Sequence, residues 1–395
     1  MIEERLQHLY RDLREHIAKV DESALPHKGL LSGTYGAAMF FYYFGLHTGN
    51  EVAQQDAEEL LVQRLNHIDV MMQNPYFCNG LAGVAWLMRV FEEQEIMEIS
   101  GVMEELLQVI DESIMDGFEL TLRVGNFDFL HGSVGILNYL LRKPGHTEYA
   151  DRFVSALDRF KIETGSGCLA WKSNVMGADG MESVFNLGFA HGMPSVLTML
   201  AHLIEKNALT DPALASELLE GGIRFLLSER QYDKTSSYSN QSSFDATFVN
   251  SRLAWCYGDL GVCLALLHAG KALNRKEWIQ VGEEVALKTL SRRTLPLTGF
   301  KDTGLCHGTA GVALLYRRFW ELTGNPEFRE AENYWFHETL AMGDYTDGLG
   351  GFKTWTKDEM LKDCNVLDGA AGIGLALLST VAEIPDTWEN SLLLR

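Results

Sequence analysis

The chain has 395 residues, of which 33 are basic and 54 acidic, giving a formal net charge of −21 and a pI near 5.0. That balance argues against a nucleic-acid grip, which needs a basic surface, but leaves room for a local basic groove that holds a peptide. With 46% hydrophobic and 22% charged residues, the composition is that of a compact globular protein and excludes a disordered chain.

At the N-terminus, Ile2, Leu6, Leu9, Leu13, Ile17 and Val20 step by three and four. This spacing predicts an amphipathic helix and lacks the apolar run of a secretion signal. A Gly-x-x-Gly frame follows and then recurs. Its copies are Ser32–Gly36, Asn79–Gly83, His131–Gly135, His191–Ser195, Tyr257–Gly261, His307–Gly311 and Asp368–Gly372. The first glycines are separated by 47, 52, 60, 66, 50 and 61 residues. Such a period marks one repeating supersecondary unit. Only the fourth copy lacks its second glycine, carrying Ser195 instead.

Each copy leads into an apolar run without a clear polar face, as after Gly36, Gly83 and Gly261. A helix that is apolar all round is buried on all sides. Amphipathic stretches lie between the copies, with Val102, Leu106 and Val109 on one predicted stripe and Phe153, Leu157 and Phe160 on another. Buried helices that each need a covering layer form an inner ring inside an outer ring. The expected fold is therefore all-α, an α/α toroid of seven inner and seven outer helices, closed so that no terminal repeat is exposed. The most apolar stretches, such as Tyr35–Leu46, are about a dozen residues or fewer, where a membrane span needs roughly 20. Six cysteines are too few for a disulfide scaffold and point to the cytoplasm. Glu163–Glu182 is Gly-rich and irregular, and Gln231–Asn250 is Ser-rich and reads as a long loop or lid. Neither supports a core of its own, so residues 1–395 read as one domain.

The common frame brings equivalent positions to one mouth of the ring. Ser32, Asn79, His131, His191, Tyr257, His307 and Asp368 stand just before the first glycines, and Cys78, Cys256 and Cys306 stand one step earlier. Cys256 and Cys306 occupy neighbouring repeats, with His307 beside Cys306. Two thiolates and one imidazole match a zinc site with three protein ligands and an open fourth position. Cys78, Cys168, Cys263 and Cys364 have no paired metal-type neighbour.

These residues resemble the lanthionine synthetase C-like cyclases over essentially the whole chain. The resemblance rests jointly on Trp255-Cys256-Tyr257-Gly258, Cys306-His307-Gly308 and Ala190-His191-Gly192. It implies an α/α toroid with one catalytic Zn²⁺ held by Cys256, Cys306 and His307. It also implies functional roles for His191, for Asp128 in Asn126-Phe127-Asp128-Phe129-Leu130-His131-Gly132, and for Arg252. Two departures stand out: Ser195 replaces a glycine, and copy three carries His131 where non-histidine residues are commoner.

The implied reaction adds a cysteine thiolate to dehydroalanine or dehydrobutyrine of a precursor peptide, closing a (methyl)lanthionine thioether ring. Sulfur attack leaves an enolate that needs a proton, which suits His191, with Arg252 beside the enolate oxygen and Asp128 orienting His191 or taking the thiol proton. The implied partners are the dehydrated precursor peptide, a lanthipeptide dehydratase and an export transporter, with membrane association through that complex. No nucleic acid and no transmembrane segment are expected. Two other readings remain open: addition of a small thiol such as glutathione, and a non-catalytic zinc-stabilised peptide-binding scaffold. A fourth protein ligand from His191 or Asp368 would favour the scaffold, because structural zinc sites are closed. A prenyltransferase subunit, another zinc-bearing toroid, resembles the chain less.

Overall fold

The computed structural model describes residues 2–19, 29–66, 68–177 and 180–395. Each Gly-rich copy runs straight into a helix. These are α2 (Tyr35–Thr48), α4 (Leu81–Glu93), α6 (Ser133–Leu140), α8 (Met193–Glu205), α10 (Asp259–Ala272), α13 (Thr309–Thr323) and α15 (Ala370–Val381). Alternating with them are α1 (Ile2–Ile17), α3 (Glu51–Leu65), α5 (Val102–Val124), α7 (His146–Phe160), α9 (Ala213–Ser228), α11 (Lys276–Thr289) and α14 (Pro326–Met342), with a single turn, α12 (Leu295–Thr298), between α11 and α13. Successive helices of the first set pack on one another, and α15 packs back on α2, so the ring closes. The second set lies outside: each member covers the inner helix before it, and α1 covers α15 and α2. The inner helices are buried on nearly every face, as the continuous apolar runs require.

The glycine frame has a steric cause. In α13, a Cβ on Gly311 would stand 1.8 Å from the carbonyl oxygen of Leu305, six residues back. The chain folds so tightly into the helix that only glycine fits there. Ser195 is accommodated in copy four, with its hydroxyl donating to Gly192 O at 3.0 Å. The residues two before each first glycine are laced around the mouth by backbone hydrogen bonds. Leu31 N donates to Cys78 O, Cys78 N to Leu130 O, Ala190 N to Cys256 O, Cys256 N to Cys306 O, Cys306 N to Leu367 O and Leu367 N to Leu31 O, at 2.7–3.2 Å. Among the described residues, only the step from Leu130 to Ala190 lacks this backbone bond.

Several expectations change in detail. In α5, Val102 and Val109 are exposed, and the buried stripe is Leu107, Ile110, Ile114, Phe118 and Leu122. The helical period holds, but the stripe marked by the two valines faces solvent. Leu6, Leu9, Leu13 and Ile17 face the core, whereas Val20 lies outside the described residues. The Gly-rich stretch forms two hairpins, β1 (Ile162–Gly165) with β2 (Cys168–Ala170) and β3 (Ser173–Gly177) with β4 (Gly180–Val184); a third pairs β5 (Thr354–Thr356) with β6 (Glu359–Leu361). These small antiparallel pairs are attachments to a helical ring. The segment Gln231–Asn250 is a loop, and its serines tie it down. Ser237 and Tyr238 donate backbone N–H groups to the buried Asp259 carboxylate, and Ser243 donates to Glu229. Residues Leu392, Leu393 and Leu394 are buried against the inner helices. Trp255 Nε1 donates to Leu392 O at 3.1 Å, and His268 Nε2 meets Leu394 O at 3.2 Å.

Candidate metal centre and neighbouring acid–base pair

Cys256 and Cys306 lie in the tight turns before α10 and α13, where each chain must turn into a glycine-capped helix. Gly258 takes a φ of +98° there, a conformation that favours glycine. The Cys256 N–H bond to Cys306 O, 3.2 Å, fixes the two turns side by side. The thiols of Cys256 and Cys306 and a ring nitrogen of His307 all fall within 4.8 Å of one another. Neither cysteine is in a disulfide. Hydrogen bonds from Cys306 and from His307 hold the Cys256 thiol well below the ordinary thiol range, against the opposing effect of burial. Cys306 is pushed up by its bond to Cys256 and by burial. Neither His191 nor Asp368 joins this group of three. Asp368 lies behind His307, with Oδ1 3.5 Å from His307 Nδ1, and burial raises its pKa to about 6.

The adjacent turns bring together a second set. His191 Nδ1 meets Asp128 Oδ2 at 2.7 Å, bridging the two loops that the backbone lacing leaves unjoined. Asp128 Oδ1 also accepts from the backbone N–H of His131, 2.7 Å, so the carboxylate is held at both oxygens. Gly132, not Asp128, occupies the N-cap position of α6. Burial pulls the His191 pKa down, but the hydrogen bond and charge of Asp128 outweigh it, and the net shift is upward. The rings of His131 and His191 lie parallel, 5° apart in plane with centroids at 6.1 Å. Burial leaves His131 with a lowered pKa. The Tyr257 ring also lies beside His191, centroids 6.2 Å apart, and its hydroxyl accepts from Asn186 Nδ2 at 3.3 Å. Asp128, His131, His191 and Tyr257 line a cavity of about 610 Å³, walled on its outer side by Lys172 and by the β3–β4 hairpin. Arg252 is exposed and has no ion-pair partner among the described residues; its charge lowers the pKa of both Cys256 and Cys306.

The six residues singled out in the sequence thus fall at one mouth. Cys256, Cys306 and His307 form one group, Asp128 and His191 form a bonded pair, and Arg252 stands at the edge. Sequence reasoning left His131 without a role and passed over Tyr257 as a wall. Their position just before the first glycine, shared with His191 and His307, was the available signal.

A closed double ring of helices with a thiol–imidazole cluster and a carboxylate–imidazole pair at one mouth defines a toroidal protein with a metal-type centre. The chain belongs to the lanthionine synthetase C-like protein family, whose model matches residues 27–393. It is similar to the nisin biosynthesis protein NisC of Lactococcus lactis subsp. lactis, 24% identical over 367 residues covering 85% of this chain and 81% of that protein. The solved structure of a nisin cyclase has the same fold, with a TM-score of 0.76 at 19% identity over 97% of each chain. No helix among the described residues is long and apolar enough to cross a membrane.

Proposed function

We propose that this single toroid, residues 1–395, is a peptide cyclase that closes thioether rings between cysteine and dehydrated serine or threonine residues, using one zinc ion held by Cys256, Cys306 and His307. The observation that carries the proposal is the placement of this trio beside the Asp128–His191 pair, joined through the Ala190–Cys256 backbone bond. The donor set fits zinc: two soft sulfurs and one imidazole already lie within 4.8 Å of one another, and no fourth ligand joins them among the described residues. When bound, zinc lowers the pKa of a substrate thiol so that it is thiolate at neutral pH.

The protein's own groups handle the rest. The cavity beside His191 receives the dehydrated residue and presents it to the imidazole. As the sulfur–Cβ bond forms, the alkene π pair moves to the adjacent amide as an enolate. His191, protonated through its bond to Asp128, delivers a proton to Cα, and the thiol proton passes to bulk solvent through the mouth. Asp128 fixes the ring that donates. Arg252 offers a cation to the enolate oxygen. The reaction is an isomerisation, with no change of mass. The precursor peptide is the substrate; a dehydratase that makes it and a transporter that exports the product are the partners this chemistry calls for.

A peptide carrying one dehydroalanine and one cysteine tests the activity directly, with glutathione in excess. Cyclisation leaves the mass unchanged and abolishes alkylation of the cysteine. A glutathione adduct with the cysteine still free would instead assign the protein to small-thiol addition.

A further inference from the structure

We infer that Asp128, His131 and His191 form a second, inhibitory binding site for a divalent transition-metal cation such as zinc. Ligand atoms of all three residues lie within 4.8 Å of one another. Two imidazoles and one carboxylate are the donors of a facial metal site with open positions. Each part of the set is held in place. Asp128 is fixed by the His131 backbone N–H, and the two imidazole rings are parallel. The group is accessible, because all three residues line the 610 Å³ cavity and none is fully buried.

The bond between His191 Nδ1 and Asp128 Oδ2 is 2.7 Å. Zinc bonds near 2.1 Å separate neighbouring ligand atoms by about 3.0–3.4 Å. The cation therefore replaces the shared proton after an opening of a few tenths of an ångström. Both side chains are partly exposed, 32% for His191 and 16% for Asp128, so small side-chain rotations supply that opening. Asp128 and His191 alone make a two-ligand site. His131 is the third donor that turns an acid–base pair into a metal site.

The N and O donors make this site harder than the Cys256–Cys306–His307 group, so it fills second. With the cation on Nδ1, the proton left on Nε2 is far less acidic than that of an imidazolium, so His191 no longer serves as the proton donor. That inhibitory consequence rests on the proposed role of His191; the binding itself does not.

The test uses the purified chain titrated with cobalt(II) and, separately, zinc. The first equivalent should produce the near-ultraviolet sulfur-to-cobalt band. A second, weaker equivalent should add visible d–d absorption without further sulfur signal. Changing Cys256 and Cys306 together to Ser should remove the first event and keep the second. His131→Asn, or His131→Gln if the first folds poorly by circular dichroism, should weaken the second event tenfold or more and spare the first. Zinc beyond one equivalent should slow cyclisation at least tenfold relative to the same protein with one equivalent, and this ratio should fall toward one in the His131 variant. A single binding event in the wild-type chain, or a second event unmoved by both His131 variants, would overturn the inference. A second event that depends on His131 without inhibition would retain the site and count against His191 as the proton donor.

Discussion

At the scale of single residues, the proposed reaction draws its product proton through the pair formed by Asp128 and His191. Its 2.7 Å bond counters burial and raises the His191 pKa above its ordinary 6.5. The donor form is therefore lost as pH rises through that raised value, which sets the alkaline limb of the rate. The same pair stabilises the fold: its contribution is fully present below about 6.5 and disappears as pH rises through the His191 pKa. On protein loaded with one equivalent of zinc, replacing His191 by Asn should leave that equivalent in place and lower cyclisation by roughly 10²–10⁴-fold. In Asp128→Asn, burial is no longer opposed by a carboxylate, so the alkaline limb should move to lower pH. Rates measured across pH, with zinc content by mass spectrometry, check both. Loss of the first equivalent of zinc from the His191 variant would make that residue a ligand of the cysteine centre rather than a donor.

At the scale of elements, the turn that carries Cys256 is supported from beneath by Asp259, the first residue of α10. Its buried carboxylate receives two backbone N–H groups of the Gln231–Asn250 loop and faces Arg292 at 3.6 Å. Truncation to Ala would leave these donors without an acceptor and remove the carboxylate facing the Arg292 guanidinium, which keeps its bonds to Leu297 O and Ser251 O, at a cost of about 1–3 kcal/mol. Asp259→Ala should therefore lower the thermal midpoint and open the loop to protease before any inner helix is cut. Cleavage starting in α10 would show that the loop is held by other means. The loop was legible as a loop, because Ser-rich sequence forms no periodic face. Its anchoring was not, since Asp259 contacts a segment more than twenty positions away and hydrogen bonds of this kind leave no pattern in the chain. The phase of α5 was hidden for a related reason. Val102 and Val109 share a stripe, but Leu107, Ile110 and Ile114 form another, and only the neighbouring helices decide which is covered.

At the scale of the whole molecule, the ring was readable because it is periodic. The glycine frame repeats wherever a turn enters an inner helix, and the clash at Gly311 shows the contact that enforces it. Cys256, Cys306 and His307 were readable as a set because they occupy equivalent places in adjacent copies. The burial of Leu392–Leu394 against the inner helices was not readable, since a single apolar tripeptide outside the repeat carries no period. Nor was the three-residue cluster containing His131. It depends on repeats three and four closing over a step that lacks backbone lacing, a geometric fact with no counterpart in sequence spacing.

In the proposed centre, two cysteines and one histidine hold a zinc ion with a place left for a substrate sulfur. X-ray absorption at the zinc edge tests it most directly, on protein loaded with one equivalent and then given a cysteine-containing dehydrated peptide. The sulfur count should be two before addition and three after, with one nitrogen ligand throughout. The rise should vanish when the peptide cysteine is alkylated. A zinc that keeps the same closed set of four protein ligands before and after peptide would contradict the account and leave the centre a structural one.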